Sequence, residues 1–177
     1  MDYADAAAFG VTNRTAYYTL RTVAPVKPGD WVVVLGAAGG VGLAAVDIAV
    51  LMGARVIAAA SGADKLEVCR QRGAAECIDY DREDLKARLK EITGEAGAHV
   101  VLDPVGGRYA EPALRGLGRG GRFVTLGYAS GEIPKIPLNL ALLKGCEIVG
   151  VFWGAWVGKN PKRHQESVAE LLQMYAD

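Results

Sequence analysis

Apolar runs alternate with amphipathic stretches along nearly the whole chain. The first run, Trp31–Leu35, is β-branched and unbroken, which is typical of a strand covered on both faces. Similar runs predict further strands over 55–60, 76–78, 99–102, 122–126 and 147–152. Apolar positions at helical spacing predict helices over 41–52, 64–72, 81–92, 108–117, 138–143 and from Pro161 towards Tyr175. Because strands separated by helices pair in parallel through right-handed crossovers, the pattern predicts an α/β fold, a doubly wound parallel sheet between two helical layers.

The glycine-rich stretch between the first strand and the first helix carries the clearest chemistry. A nucleotide diphosphate needs backbone N–H groups at a helix N-terminus and no Cβ atoms that block its approach. We expect Gly36 and Gly39 to provide the tight turn and the close approach, Gly42 to let the helix pack on the strand, and Val41 to point into the core. The spacing is G-x-x-G-x-x-G, because Ala38 stands where a middle glycine is usual. The position between strand and helix favours a dinucleotide site of the Rossmann type over a turn without a ligand.

The end of the second predicted strand indicates which nicotinamide nucleotide is bound. NAD-binding folds usually carry a carboxylate there to hold the ribose hydroxyls, and this strand ends without one. Ser61 can donate a hydrogen bond to a 2′-phosphate and Lys65 can reach it as a cation, although a solvated surface lysine is the alternative. Asp64 is expected to cap the following helix, and Tyr80 to offer a hydroxyl or to pack beside the adenine. The pattern therefore favours NADPH.

Charge, hydropathy and cysteine usage exclude several other functions. The 177 residues include 20 basic and 20 acidic side chains, so there is no basic excess for nucleic acid or an anionic membrane surface. No apolar run approaches the roughly 18 residues that span a bilayer, and the N-terminus does not resemble a secretory signal. Cys69, Cys77 and Cys146 form no C-x-x-C pair, and we expect them to be small buried apolar side chains in a reducing cytoplasm.

Taken together, the motifs resemble the zeta-crystallin-like quinone oxidoreductases of the medium-chain dehydrogenase/reductase superfamily. The matching stretches occur in family order at residues 12–17, 26–30, 37–42, 103–107, 120–122 and 126–127. The resemblance implies a Rossmann domain paired with a catalytic domain, NADPH in the cleft, and hydride transfer to a quinone or an α,β-unsaturated carbonyl. We therefore expect residues 1–25 to be a bridging helix from a missing catalytic domain and 26–177 to be the dinucleotide-binding domain, which alone has little activity.

The resemblance also assigns site residues by motif. It places Gly40, Val41 and Gly42 along the pyrophosphate. The remaining residues that it implies are Ser61, Lys65 and Tyr80 at the adenosine phosphate, Pro104 near the adenosine, Leu126, Gly127 and Tyr128 beneath the cofactor, and Thr15, Val151, Phe152 and Trp153 at the nicotinamide half. Each of these loops follows a predicted parallel strand, apart from the helix that carries Thr15, which agrees with ligand binding at the carboxyl ends of strands.

No catalytic residue and no metal site is expected from this chain. His99 lies within a predicted strand and His164 in the last helix, away from any cysteine pair, so the enzyme is expected to be zinc-independent. No tyrosine is followed four residues later by lysine, which disfavours a short-chain reductase. Trp153 and Trp156 could form a stacking wall for a flat acceptor, or they could equally be packing side chains.

The partner is expected to be a small quinone or enone. An enoyl-thioester reductase, free or as a module of a polyketide or fatty-acid synthase, is the second enzyme interpretation. A non-catalytic nucleotide-binding redox sensor is the third. By analogy with the family, in which the last strand often pairs across a dimer, we also expect a homodimer.

Overall fold

The architecture is a parallel sheet between two layers of helices. The computed structural model describes residues 3, 7 and 9–176. Its strands are β1 (Trp31–Leu35), β2 (Arg55–Ala60), β3 (Glu76–Asp79), β4 (Ala98–Asp103), β5 (Leu117–Thr125) and β6 (Glu147–Gly150). They form one sheet in the order β3-β2-β1-β4-β5-β6, and every neighbouring pair is parallel. This confirms the doubly wound α/β fold.

Helices cover both faces of the sheet. They are α1 (Val11–Tyr18), α2 (Gly40–Leu51), α3 (Ala63–Gln71), α4 (Leu85–Thr93), α5 (Ala110–Arg115), α6 (Asn139–Lys144), α7 (Trp153–Lys159) and α8 (Pro161–Ala176). Helix α1 continues as a π-helical turn over Thr19–Val23. Most of the start of the bridging helix expected over residues 1–25 lies outside the described residues.

The alternation of side chains along β1 divides the interior into two cores. Val32 and Val34 pack with α1, α2 and α8 on one face, whereas Val33 and Leu35 pack with α4, α5 and α6 on the other. Successive side chains of a strand point to opposite faces, so an unbroken apolar run is what a sheet covered on both sides requires. All four valine and leucine side chains are fully buried.

Several expected boundaries were wrong, mainly where glycine or proline interrupts the pattern. The predicted helix over 108–117 is a 3-10 turn at Gly107–Tyr109 followed by the short α5, and Leu117 already belongs to β5. The strand expected over 147–152 ends at Gly150, and the unexpected α7 begins at Trp153. The helix expected from residue 81 begins at Leu85, because the Asp84 carboxylate caps it by accepting the Ala87 N–H at 2.9 Å.

The cysteines follow expectation only in part. Cys69 is fully buried in the core between α2, α3 and the sheet. Cys77 and Cys146 are half-buried, so the expectation of full burial was wrong for them. All three are free thiols, and burial is the main factor that raises their pKa values, to about 11 for Cys69. Unreactive packing thiols fit these positions.

Candidate functional site

The turn between β1 and α2 brings a helix N-terminus close to the end of a strand. Gly36 has φ +57°, and a Cβ there would lie 2.7 Å from Cγ2 of Val105. A Cβ at Gly42 would lie 2.2 Å from the Gly36 carbonyl oxygen and 2.8 Å from the Cα of Ala37. Only glycine fits at these two positions, which confirms the expected packing role of Gly42.

The same turn leaves donors available to an anion. Gly39 is the N-cap of α2, and no side chain in the described part of the chain caps it. The amides of Gly40, Val41 and Gly42 lie in the first turn, where a helix provides no acceptor for backbone N–H groups. Gly39 and Gly40 are exposed. This cradle, open at its glycines and positive at the helix end, fits a diphosphate.

One expectation for this turn was wrong. Val41 is only half-buried and belongs to neither core, so its side chain does not anchor the turn. Ala37 takes that place. It is fully buried, and its N–H donates to the Ala59 carbonyl at 3.1 Å. The second residue of α2 therefore lies outside both cores, which the sequence spacing alone did not reveal.

The loop after β4 faces the glycine turn and is held by a buried carboxylate. Asp103 is fully buried, and its Oδ1 accepts the N–H groups of Val105 and Gly106, each at 2.8 Å. Its Oδ2 is buried without a hydrogen-bond partner among the described residues. Burial raises the pKa of Asp103, and the two backbone hydrogen bonds offset part of that shift. Sequence reasoning quoted Asp103 only as part of a motif, although an Asp followed closely by glycines is a signal for such a turn.

The loop after β5 is tied to the loop after β4. The N–H of Leu126 donates to the Asp103 carbonyl at 3.0 Å. A Cβ at Gly127 would lie 3.1 Å from the Pro104 carbonyl oxygen, so the two loops are in close backbone contact. Tyr128 is 44% exposed, and its ring lies against Gly106, where a Cβ would be 2.8 Å from Cδ1 of the tyrosine. The structure therefore brings Pro104, Leu126, Gly127 and Tyr128 together.

A polar corner lies at the ends of β2 and β3. Nζ of Lys65 is 3.5 Å from Oγ of Ser61, so these two residues are adjacent, as expected for a shared phosphate. Asp64 is not the N-cap of α3, because the helix begins at Ala63 with Gly62 at the cap. Gly62, with φ +88°, places the N-cap two residues earlier than the expected Asp64.

Tyr80 extends this corner towards the neighbouring helical layer. Its ring stacks on that of Tyr109, with centroids 4.0 Å apart. Burial is the main factor that raises the pKa of Tyr80 to about 12, so its hydroxyl stays protonated at neutral pH. Tyr109 thus covers one face of the Tyr80 ring. A ligand at the corner would contact Tyr80 through the ring edge or the hydroxyl.

Of the residues expected at the nicotinamide half, 151–153 follow the edge strand β6, whereas no hydrogen bond among the described residues joins Thr15 to them. Val151 follows β6, and its N–H donates to the Thr125 carbonyl at 2.9 Å. Phe152 is 80% exposed, and Thr15 is buried in α1. Trp156 stacks on Tyr18 of α1 with centroids 4.3 Å apart, so packing accounts for at least one of its faces.

The strand order places these groups in a row at the carboxyl-end edge of the sheet. The chain leaves β1 towards β2 and β3 on one side, whereas β4, β5 and β6 lie on the other, so the sheet changes direction between β1 and β4. The glycine turn and the Asp103 loop flank that switch point. From β2 to β6 the four strand intervals span about 19 Å at roughly 4.8 Å each, which suits an extended dinucleotide.

Metal ligands are not grouped in the described part of the chain. Within residues 3, 7 and 9–176, no cluster of three or more His, Cys, Asp or Glu side chains could hold an ion. His99 accepts the Trp31 N–H at Nδ1 and lies 3.6 Å from the Asp30 carboxylate, and His164 packs edge-on against Trp153 and Trp156. This donor set does not fit zinc. The described helices also include none with the length and apolarity needed to cross a membrane.

Comparison with known proteins gives the same picture at the level of sequence. The family model described as zinc-binding dehydrogenase matches residues 40–176. A quinone oxidoreductase-like protein 2 homolog from Nematostella vectensis is 40% identical over 176 residues, which cover 99% of this chain and 48% of that protein. The chain thus spans about half the length of the curated relatives it matches.

Solved structures agree with the fold. Escherichia coli quinone oxidoreductase complexed with NADPH superposes with a TM-score of 0.90 at 33% identity, over 98% of this chain and 53% of that one. A putative enoyl reductase domain of a polyketide synthase superposes with a TM-score of 0.82 at 31% identity, over 96% of this chain and 93% of that one. Both likenesses confirm the resemblance drawn from the motifs.

Replacing Gly42 by alanine tests the close contact at the glycine turn. The added Cβ meets backbone atoms that cannot move independently, so we expect Gly42→Ala to lower the free energy of unfolding by about 1–3 kcal/mol, the usual cost of overpacking. Gly158→Ala is the matched control, because it lies in α7 with no atom within 4 Å of the added Cβ. Urea denaturation of both variants measures the difference; equal stabilities would contradict the contact.

The buried carboxylate of Asp103 predicts a pH dependence of stability. The pKa of Asp103 in the folded state lies above the ordinary 3.8 of the unfolded state. At any pH between the unfolded-state and folded-state values, the native state therefore holds the proton more tightly than the unfolded state does. Stability contributed by this group is therefore present at low pH and falls as the pH rises. We expect native protein to lose stability relative to Asp103→Asn as the pH rises above about 4, measured by urea denaturation. Asp64→Asn, at an exposed position, is the control; parallel profiles for native protein and Asp103→Asn would reject the assignment.

Proposed function

Because the chain belongs to the zinc-binding dehydrogenase family, we propose that it is the NADPH-binding domain of an oxidoreductase that transfers hydride to a quinone or an α,β-unsaturated carbonyl. The observation that carries this proposal is the cradle at Gly36 and Gly42, where a Cβ would overlap neighbouring atoms and the first helical amides remain available to a diphosphate. Relatives named quinone oxidoreductase support the reaction class.

In this proposal the chain binds and orients the cofactor. The amides at 40–42 hold the pyrophosphate, Pro104 and the loop at 126–128 bound the crevice, and Thr15 with residues 151–153 borders the nicotinamide half. The nicotinamide, when bound, supplies the hydride chemistry itself. The described residues contribute position and shielding from water, and no acid or base among them is assigned to the reaction.

The preference for NADPH rests on the corner at Ser61 and Lys65. The tip of β2 is Ala60, so no carboxylate of that strand faces the position of a 2′-phosphate. Lys65 and Ser61 form a cation and hydroxyl pair at 3.5 Å, and Tyr80 lies at the end of the adjacent β3. The structure of the Escherichia coli relative with NADPH supports the same preference.

We further propose zinc independence and a two-domain parent protein. The described donors do not group into a metal site, although the family model carries zinc in its description. Residues 1–25 would connect to a catalytic domain, and 26–177 would form the cofactor domain, since the relatives are about twice as long. The chain alone would bind NADPH and turn over slowly or not at all.

A second candidate is an enoyl-thioester reductase. The enoyl reductase domain of a polyketide synthase is matched over 93% of its own length, and a Mycobacterium tuberculosis polyketide synthase subunit is 32% identical over 98% of this chain. Hydride transfer to an unsaturated thioester uses the same cofactor crevice, so the two functions differ only in the acceptor.

Titration and turnover separate these possibilities. The purified chain is titrated with NADPH and NADH by quenching of tryptophan fluorescence, and the full-length parent is assayed with 1,2-naphthoquinone and with crotonyl thioester. Tighter binding of NADPH with quinone turnover supports the first proposal, and thioester turnover alone supports the second. Binding without turnover in the parent would instead indicate a redox sensor.

We also propose a homodimer in the cytoplasm. In the described part of the chain, β6 pairs only with β5, so its other edge offers unpaired backbone groups. The segments before and after β6 expose large apolar side chains; they include Leu142 at 81%, Leu143 at 70% and Phe152 at 80% exposure. Three free thiols, none in a disulfide, suit a reducing compartment.

Lys65→Ala tests the assignment of the phosphate site. We expect it to weaken NADPH binding by about 1–3 kcal/mol, the scale of a charged hydrogen bond, and to leave NADH nearly unchanged. Lys162→Ala is the matched control, because it also lies in the first turn of an exposed helix. Calorimetric titration measures both; equal weakening of the two nucleotides would remove Lys65 from the site.

Ile148→Lys tests the proposed dimer. A charge on the edge strand opposes pairing of β6 with a second copy, so we expect the native chain to sediment as a dimer and the variant as a monomer. Val68→Lys is the control, because Val68 is 42% exposed and Ile148 is 41% exposed. Sedimentation velocity over a range of concentrations gives the answer, and a native monomer throughout would reject the dimer.

A further inference from the structure

A hydrogen-bonded triad of Asp81, Arg108 and Tyr109 lies beside the polar corner. Oδ1 of Asp81 accepts from Nη2 of Arg108 at 2.6 Å and from the Tyr109 hydroxyl at 2.5 Å. Nη2 of Arg108 also contacts that hydroxyl at 2.9 Å, and the guanidinium lies 4.9 Å from the centroid of the Tyr109 ring. The three groups therefore hold one another in place, although 27 residues separate Asp81 from Arg108.

The triad is continuous with the residues proposed for the adenosine phosphate. Tyr109 stacks on Tyr80, and the Tyr80 N–H donates to the Ala60 carbonyl at the tip of β2 at 3.3 Å. The hydrogen bond from Tyr109 is the main factor that lowers the pKa of Asp81, and Arg108 and Lys65 lower it further. The Asp81 N–H donates to Oδ1 of Asp79 at 3.2 Å, and Oδ2 of Asp79 accepts the N–H of Gly62, next to Ser61, at 3.3 Å, so the triad is joined to the polar corner. Tyr80 and the triad also line a cleft of about 730 Å³.

The position of this carboxylate creates an electrostatic problem for NADPH. Asp81 is ionised at neutral pH, and through Asp79 it adjoins the corner that we propose for the 2′-phosphate. An uncompensated carboxylate there would repel a phosphate and would compete for Lys65. NADH lacks the 2′-phosphate and would be indifferent to it. Arg108 places a permanent positive charge directly on that carboxylate.

We propose that Arg108 determines cofactor selectivity indirectly, by neutralising Asp81 so that the corner at Lys65 accepts a 2′-phosphate. The inference rests on the proposed NADPH site. Arg108 is a positioning residue in this scheme, because its guanidinium is directed to Asp81 and Tyr109. Direct contact between Arg108 and the phosphate is the competing explanation. Removing the Asp81 charge as well should restore NADPH binding if Arg108 acts by neutralising Asp81, but not if Arg108 binds the phosphate directly.

A double-mutant cycle separates them. The Kd values of NADPH and NADH are measured by calorimetry for the native chain, Arg108→Gln, Asp81→Asn and the double variant. We expect Arg108→Gln to weaken NADPH about 3- to 5-fold, the scale of an exposed charge interaction, with NADH unchanged. Adding Asp81→Asn to Arg108→Gln should restore NADPH binding to near the native value. The loss of NADPH affinity in Arg108→Gln should also become smaller at about 0.5 M salt, because salt screens the charge interaction.

Controls make each outcome decisive. Arg72→Gln removes another exposed arginine that pairs with an aspartate, Asp47, at 3.3 Å, and it should change neither nucleotide. Thermal unfolding of each variant shows whether it is folded. If Asp81→Asn fails to restore NADPH binding to Arg108→Gln, or if both nucleotides weaken equally, the inference is wrong while the NADPH site stands. A native chain that binds neither nucleotide overturns the proposed function and the inference together.

Discussion

The contact between the start of α2 and the end of β1 is the constraint on which the site depends. Without a side chain at Gly42, the first turn of the helix lies against the Gly36 carbonyl and the Cα of Ala37. The amides of this first turn receive no side-chain cap among the described residues. A helix N-terminus binds an anion only where its N–H groups can be approached, and here the exposed Gly39 and Gly40 leave that approach open.

The loops around this contact are held by backbone hydrogen bonds more than by side-chain packing. Asp103 fixes the loop after β4 through two N–H groups, and its own carbonyl accepts the Leu126 N–H from the loop after β5. A buried carboxylate carries a desolvation cost, which the two N–H groups reduce. The result is a crevice whose walls are fixed relative to the diphosphate cradle, as a site that orients a cofactor requires.

Electrostatics differ between the two ends of the crevice. The end near Phe152 and Trp156 is apolar and aromatic, which suits the flat nicotinamide and flat acceptor of the proposed function. The opposite end carries Lys65 and the Asp81–Arg108 pair. In the proposed function the 2′-phosphate binds there, so selectivity would depend on the balance of neighbouring charges and therefore on salt, whereas the diphosphate cradle would serve both nucleotides.

The sequence by itself determined the fold class and the position of the cradle. Apolar runs separated by amphipathic stretches allow few arrangements other than a covered parallel sheet, and the glycines lie between the first strand and first helix in any such arrangement. It also put Ser61 and Lys65 at one βα turn, since Ser61 follows the second strand and Lys65 lies in the first turn of the next helix.

Only the tertiary structure decided which distant groups meet. The periodicity is local, so it could not show that Arg108 reaches Asp81, that Tyr109 covers Tyr80, or that Val41 turns away from the core. Helix ends were also misjudged at Asp64 and before Leu117, where a glycine with free φ or a short 3-10 turn shifts the boundary. Such details depend on contacts between elements far apart in the chain, which spacing along the sequence does not encode.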